Sequence, residues 1–304
     1  MSSATVVVPV KDGARDLPAL LAALAAQAGP ARLEVVALDS GSRDASRRLL
    51  EQAGARVIAV ERFDHGETRN LGVREARGDY VLFLSQDAAP TRPDYVARLI
   101  ETLSGDPRLA GAFARQVPRS GADPLTRRDL MSGVAAGPEP RRVFLSEAEY
   151  ASLDPGERHR LSVFDNVASA APRRLLLDHP FGASRFGEDL EWGQRMLRAG
   201  WGLAYVPQAV VAHSHARRAR ALFRRNYLGH RLLWRLFGLA TVPDRWHLLR
   251  AGALSLAGDL RTLAREGAAP GLWLAAPLQA LAAVYGQYRG VRDELRGAPY
   301  PRWS

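Results

Sequence analysis

Over its first 115 residues the chain alternates short, β-branched apolar runs with segments of helical period, and no other feature limits its fold so strongly. TVVVPV (5–10), LEVVALD (33–39), ARVIAV (55–60) and DYVLFLSQD (79–87) read as buried strands. Asp16 to Ala28 reads as a helix with Leu17, Leu20, Leu21 and Leu24 on one face, closed by Gly29-Pro30. Further helices are expected from Gly41-Ser42-Arg43-Asp44 to about Ala53, from Glu67 to Ala76, and after Pro93. Strands separated by helices of this length predict an α/β fold: a mostly parallel sheet with helices on both faces. Ligands of such sheets gather at the carboxyl ends of the strands. Two strands here end in an acid, Asp39 and Asp87. Either residue taken alone is equally well read as a cap for the helix that follows.

Residues 116–160 are rich in Pro and Gly and predict an irregular lid or binding loop. LSVFDNVASAAP (161–172) reads as a strand entering a turn, Glu188 to Ala199 as a helix stopped by Gly200, and LAYVP and AVVAHSH as short strands. No G-x-G-x-x-G follows a strand in the first 215 residues, and no P-loop is present.

Composition removes several alternatives. With 47% hydrophobic and 24% charged residues the chain has the means to build a core. It contains no cysteine, so disulfides, thiol nucleophiles and Cys-ligated metals are excluded. MSSATVVVPV lacks a basic segment followed by a long apolar one, and no run of 18 apolar residues occurs; neither a secretory signal nor a membrane span is expected. The net charge of +10 is confined to residues 216–304, which hold fifteen Arg against five acidic residues. The preceding 215 residues are neutral, which argues against nucleic acid as their partner.

Four segments, in order, resemble glycosyltransferase family 2 and its GT-A fold. They are VVVPVKDGARDLPALLAAL, LDSGSRDAS, FLSQDAAP and FGEDLEWGQRMLRAGW. The likeness spans roughly residues 3–215. FDHGETRNLG (63–72), the QDA form and the terminal HSH further resemble a rhamnosyltransferase-type subgroup. The resemblance implies an inverting transferase that moves a sugar, rhamnose by the subgroup, from a nucleotide-diphosphate donor to a glycan or lipid-linked acceptor of cell-surface polysaccharide. Asp39 is similar to the family's nucleobase contact, with Pro9 and Lys11 near base and ribose. Lys11 is the only lysine in the chain. Asp87 takes the metal-binding position. Gln86 stands where a second acid is common, which leaves one ligand neutral or absent. His213 or His215 is a candidate further ligand. A divalent cation, Mg2+ or Mn2+, suits oxygen ligands and a departing diphosphate. The resemblance makes Asp189 the base that takes the acceptor proton, with Glu188 orienting the acceptor or a loop. Acids decorating a helix N-terminus are the plainer reading of the same pair. In HGETRN, Arg69 and the helix N-terminus are expected to meet the diphosphate. Trp192 and Arg195 are expected at the acceptor, core packing being the other role for Trp192.

In the tail, Arg217, Arg220, Arg224, Arg231 and Arg235 fall on one helical stripe, opposite Leu222, Phe223, Trp234 and Phe237. This predicts an amphipathic helix on an anionic membrane surface, or one packed on the core with a solvated Arg face. Trp246 to Leu260 is again amphipathic, and Pro277 is expected to interrupt the apolar segment from Gly271 to Tyr285. The resulting picture is a catalytic domain over residues 1–215 and a helical tail over 216–304. The protein is expected in the cytoplasm, peripheral on the inner face of the cell membrane. The competing functions are a sugar-1-phosphate nucleotidyltransferase and a non-enzymatic basic membrane-binding protein. VPVKDGARDLP has a single glycine and suits the nucleotidyltransferase's activating loop poorly.

Overall fold

The computed structural model describes residues 2–29 and 32–301; the expected helix stop at Pro30 lies outside them. In order the elements are β1 (Ser3–Val10), α1 (Leu17–Ala25), β2 (Arg32–Asp39), α2 (Ser46–Gln52), β3 (Arg56–Ala59), α3 (His65–Glu75) and β4 (Tyr80–Leu84). There follow β5 (Ala89–Pro90), α4 (Tyr95–Ser104), β6 (Leu109–Val117), α5 (Pro124–Met131), β7 (Arg141–Val143), α6 (Glu147–Ser152) and α7 (Pro155–Leu161). The chain continues through β8 (Ala168–Pro172), α8 (Arg173–Asp178), α9 (Glu188–Arg198), β9 (Gly202–Ala212), α10 (Ala219–Phe237), α11 (Arg245–Arg265) and α12 (Pro270–Leu295).

Two compact units result. One takes the chain up to Arg119 with Leu130–Leu153 and Arg160–Ser214; the other takes Ser120–Asp129, Asp154–His159 and the chain from His215. The expected division at 215/216 thus becomes 214/215, and part of the loop-rich region belongs to the helical unit.

The first unit is a mixed sheet of nine strands among the described residues, ordered β3-β2-β1-β4-β8-β6-β9-β5 with β7 on β9. The β3-β2-β1-β4 half is parallel, as the alternating pattern demands. β8 then inserts antiparallel between β4 and β6, with Leu84 opposite Ala168. The start of β8 therefore lies at the edge where β4 and β6 end. β9 runs parallel to β6, with Val117 opposite Ala212, so these strands end there too. Sequence reading split β9 into two strands; Gly202–Ala212 is continuous, with a register shift where it meets Ala114 and Arg115.

β1 shows why the helices cover both faces. Val6 and Val8 point into a core layer with Leu17 and Leu20 of α1 and Tyr95 and Leu99 of α4. Val7 points the other way, into a layer with Val73 of α3, Phe83, and Trp192 and Met196 of α9. Burying both faces explains the unbroken apolar run of the strand.

In the helical unit, Arg128 and Arg217 both bond to the carboxylate of Asp259, which is 0% exposed. Arg231 pairs with Glu294 at 2.6 Å and is buried. The uniform arginine stripe expected on α10 is therefore not observed. Arg217 and Arg231 turn inward onto acids 42 and 63 residues away, while Arg220 and Arg235 stay exposed. Pro277 does not interrupt α12, which runs through it from Pro270 to Leu295. An internal proline costs a helix roughly 3 kcal/mol, a cost that tertiary packing of a 26-residue helix offsets.

Candidate active site

At the donor end, β2 closes on Asp39, in register with Val10 of β1. Asp39 Oδ1 accepts from the Ser42 amide (3.0 Å) and the Ser42 hydroxyl (2.6 Å), and so shapes the loop after the strand. Neither bond uses Oδ2. Lys11 Nζ donates to the carbonyls of Ser40 (3.2 Å) and Gly41 (2.5 Å), which ties the end of β1 to the same loop. Pro9 is half-buried opposite Leu38.

Gln86 explains the QD form. Its Oε1 accepts from the Lys11 amide (2.8 Å) and its Nε2 donates to the Lys11 carbonyl (3.1 Å). One side chain thus continues the β1–β4 ladder past its last backbone pair. An ionised Asp accepts only and could not make the second bond. Gln86 is a clip between strands rather than a second cation ligand.

Asp87 follows at the β4 exit, and His213 leaves β9 at the same sheet edge. Asp87 Oδ2 and His213 Nε2 lie 3.6 Å apart, and His213 is 4% exposed. Gln116, at the end of β6, sets the imidazole. Its Nε2 donates to Asp165 Oδ2 (2.6 Å), which turns its Oε1 to His213 Nδ1 (2.9 Å). Nδ1 then donates to Gln116, which leaves Nε2 as the ring nitrogen on the Asp87 side. This is the orientation of a metal-ligating histidine held by an outer partner. Carboxylate oxygen and imidazole nitrogen side by side fit a divalent cation. Arg119 braces the turn, donating to Asp16 Oδ1 (2.7 Å) and to the Asp87 carbonyl. His215 lies two residues beyond His213, exposed, as the first residue of the helical unit.

The acidic pair begins α9. Gly187, at φ +71°, turns the chain into the helix in a conformation that costs glycine little. The two acids then diverge. Glu188 is 3% exposed, pairs with Arg69 at 3.0 Å and accepts from Asn166 Nδ2 at 3.1 Å. This is a buried structural pair; breaking such a pair costs about 3–5 kcal/mol. Among the described residues no arginine bonds to Asp189, though the charge of Arg69 still acts on it. Its Oδ2 accepts from the Asn166 amide (2.9 Å) and its Oδ1 from its own neighbour's amide, Leu190 (2.8 Å). Burial, with the Glu188 and Asp165 carboxylates close by, pushes the Asp189 carboxyl up to about 8.

Three expectations change. Arg69 is buried on Glu188, not presented to a diphosphate. The N-terminus of α3 is not open to phosphate either: Asp64 Oδ1 accepts from the amides of Gly66, Glu67 and Ser184, all at 3.0 Å. The 180–186 loop presses on this turn so closely that a Cβ on Gly66 would overlap the Gly182 carbonyl. Trp192 is 0% exposed, its indole N–H donating to the His179 carbonyl (2.8 Å), so it packs the core and reaches no acceptor. Arg195 lies at the surface, bonded to Glu191 (3.2 Å) and the Pro180 carbonyl (2.6 Å).

A continuous line of contacts thus runs along one sheet edge, from the Asp39 loop through Lys11, Gln86, Asp87, His213, Gln116 and Asp165 to the segment that holds Asp189. Residues 5–164 match the model of the family described as Glycosyl transferase family 2. The chain belongs to this family. That match contains Asp39 and Asp87 and stops before Glu188, Asp189 and His213.

Among curated relatives, the chain is 30% identical over 201 residues to the O-antigen chain rhamnosyltransferase RfbN of Salmonella typhimurium, covering 64% of this chain and 61% of that protein. It is 27% identical over 208 residues to the O-antigen chain rhamnosyltransferase WbaN of Salmonella anatum, covering 64% and 60%. The chain spans about three-fifths of the length of these relatives. The fold is similar to that of the mannosyltransferase PcManGT from Pyrobaculum calidifontis, solved with GDP-Man and Mn2+. That likeness has a TM-score of 0.59 at 19% identity, over 96% of this chain and 86% of that one. Glucosyl-3-phosphoglycerate synthase of Mycobacterium tuberculosis, solved with Mn2+, uridine diphosphate and glucosyl-3-phosphoglycerate, gives 0.53 at 22% identity over 80% and 82%.

Sequence reading missed Gln116, Arg119, Asp165 and Asn166 in this family 2 chain. The first two sit in a loop-rich region without a motif. FDN (164–166) carried a signal only in being polar at the head of an apolar strand.

Proposed function

We propose that this family 2 chain is an inverting glycosyltransferase. It would move a sugar, rhamnose by its likeness to the two O-antigen enzymes, from a nucleoside-diphosphate donor to a glycan or lipid-linked acceptor in polysaccharide synthesis. The observation that supports this best is the single sheet edge carrying Asp39, Asp87 and Asp189 through bonded neighbours.

The roles follow from position. Asp39 Oδ2, with Pro9 and Lys11 beside the same loop, faces the nucleobase and ribose. Asp87 and His213 hold a divalent cation, magnesium or manganese, and His215 is the third candidate ligand. Such a cation, when bound, supplies positive charge to the leaving diphosphate. Asp189 takes the acceptor hydroxyl proton as its oxygen bonds to the anomeric carbon. The carbon–oxygen bond to the diphosphate breaks on the opposite face, and its electron pair leaves with the phosphate. The raised proton affinity of Asp189 suits this duty, since a base with a proton affinity near the working pH is both available and strong. Glu188 and Arg69 hold the α9 start against α3 and keep Asp189 in place.

The basic helical segment is proposed to keep the enzyme in the cytoplasm on the inner, anionic face of the cell membrane. No helix among the described residues is long and apolar enough to cross a membrane. Calorimetric titration with nucleoside diphosphates, with and without Mn2+, tests the donor site. Binding that requires Mn2+ and weakens at least tenfold in Asp87→Ala is the expected result. Equal affinity with and without metal in both proteins would remove the cation from the proposal.

A further inference from the structure

Among the described residues, nothing covers one face of α12. Leu274, Leu278, Leu281 and Tyr285 recur at spacings of four, three and four, one stripe of a helix, and all are exposed. Leu274 is 85% exposed and Leu278 63%. No charged side chain occurs from residue 267 to 288, so nothing polar interrupts that stripe with charge. α11 shows a second apolar set with Trp246, at 81%, and Leu249 and Leu254 also exposed. Here the polar partners are of one sign. Arg245, Arg250, Arg261 and Arg265 are exposed, while the one acid of the helix, Asp259, is buried between Arg128 and Arg217.

We infer that the exposed faces of α11 and α12, and not the arginine stripe of α10, are what lies on an anionic bilayer. This rests on the membrane reading above and gives it a location. Exposed leucines supply the apolar insertion, Trp246 and Trp273 suit the headgroup level, and the guanidinium groups of α11 meet lipid phosphates. A second copy of the chain is the poorer occupant. A two-fold contact sets a face against itself, which would bring the α11 arginines together with only the flanking Asp244 and Glu266 to offset them. α10 is the poorer membrane face because Arg231, and Arg217 just before the helix, are held by the carboxylates of Glu294 and Asp259.

The test uses the full chain and sedimentation with vesicles of phosphatidylglycerol and phosphatidylcholine, against pure phosphatidylcholine. Wild type is expected to bind the anionic vesicles at least tenfold more tightly, with a blue shift of tryptophan emission. Leu274→Glu with Leu278→Glu is expected to lose at least tenfold of that binding. Arg220→Ala with Arg235→Ala on α10 is expected to lose less than threefold. Both positions on α12 are solvent-facing, so thermal melts should coincide with wild type; Leu274→Gln with Leu278→Gln replaces the pair if they do not. Wild type that ignores anionic vesicles overturns the membrane reading itself. Wild type that binds while the α12 pair binds equally, or that loses binding through the α10 pair, overturns the location alone. A dimer by light scattering that the α12 pair dissolves would assign the face to a second copy.

Discussion

Acids away from open solvent serve opposite ends in the two units. In the helical unit Asp259 is 0% exposed and held by two guanidinium groups at 2.6 and 3.0 Å. At the sheet edge Asp189 lies beside two further acids, with backbone amides as the partners of its oxygens, and its proton affinity rises to about 8. Glu188, one residue earlier, belongs with Asp259 in kind, since Arg69 neutralises it. A carboxylate matched by arginine holds elements together. One set among other acids, with backbone amides as its bonded partners, is poised to take a proton, which is the property a base needs. The site is thus distinguished by the environment of Asp189: burial, two acids beside it, and no arginine bonded to it among the described residues.

Several changes would break or sharpen that contrast. The largest effect expected is on folding. Asp259→Ala takes one carboxylate from the buried Arg217 side chain and from the half-exposed Arg128, each of which keeps Asp129 (2.7 and 2.6 Å), and should cost about 3 kcal/mol, read as a lowered midpoint in urea. Unchanged stability would mean that Asp129 alone holds both arginines. Trp192→Ala tests the packing role of that ring and should cost about 3–5 kcal/mol. A loss confined to acceptor KM at full stability would restore its expected acceptor contact.

A smaller effect is expected at Gln116. Gln116→Leu removes the bond that orients the His213 ring and should weaken Mn2+ binding by about 10–100-fold, measured by electron paramagnetic resonance of free Mn2+ with no donor present. Gln116→Glu, which keeps an acceptor for Nδ1, should recover part of it. The last effect is on the pH dependence of stability. Asp189 binds its proton more tightly folded than unfolded, so its contribution to stability falls as pH rises from about 4 to about 8. Asp189→Asn should flatten that fall, seen as a gap between the two melting curves that narrows toward acid pH.

How far the sequence disclosed this arrangement depends on the range of each interaction. Strand and helix periods are local, and the strands from β1 to β4 stand where alternation placed them. Asp39 and Asp87 were legible because topology alone sends both strand ends to one edge. Asp189 was legible only through a family likeness. The rest was set by partners far along the chain. Arg69 meets Glu188 across 119 residues, and Gln116 meets Asp165 across 49 and His213 across 97. No periodicity reports such pairs. The α10 stripe misled for the same reason, since helical spacing reveals which residues share a face but not which acids await them. Pro277 was read as a break because its penalty is local, while the packing that offsets it is not.

The most direct test of Asp189 as the proton acceptor is the pH profile of kcat/KM for sugar transfer. Wild type should rise tenfold per pH unit up to a single ionisation near 8, while Asp189→Asn should be slower by about 10²–10⁴-fold and flat with pH. The same ionisation persisting in Asp189→Asn, at a comparable rate, would contradict the account.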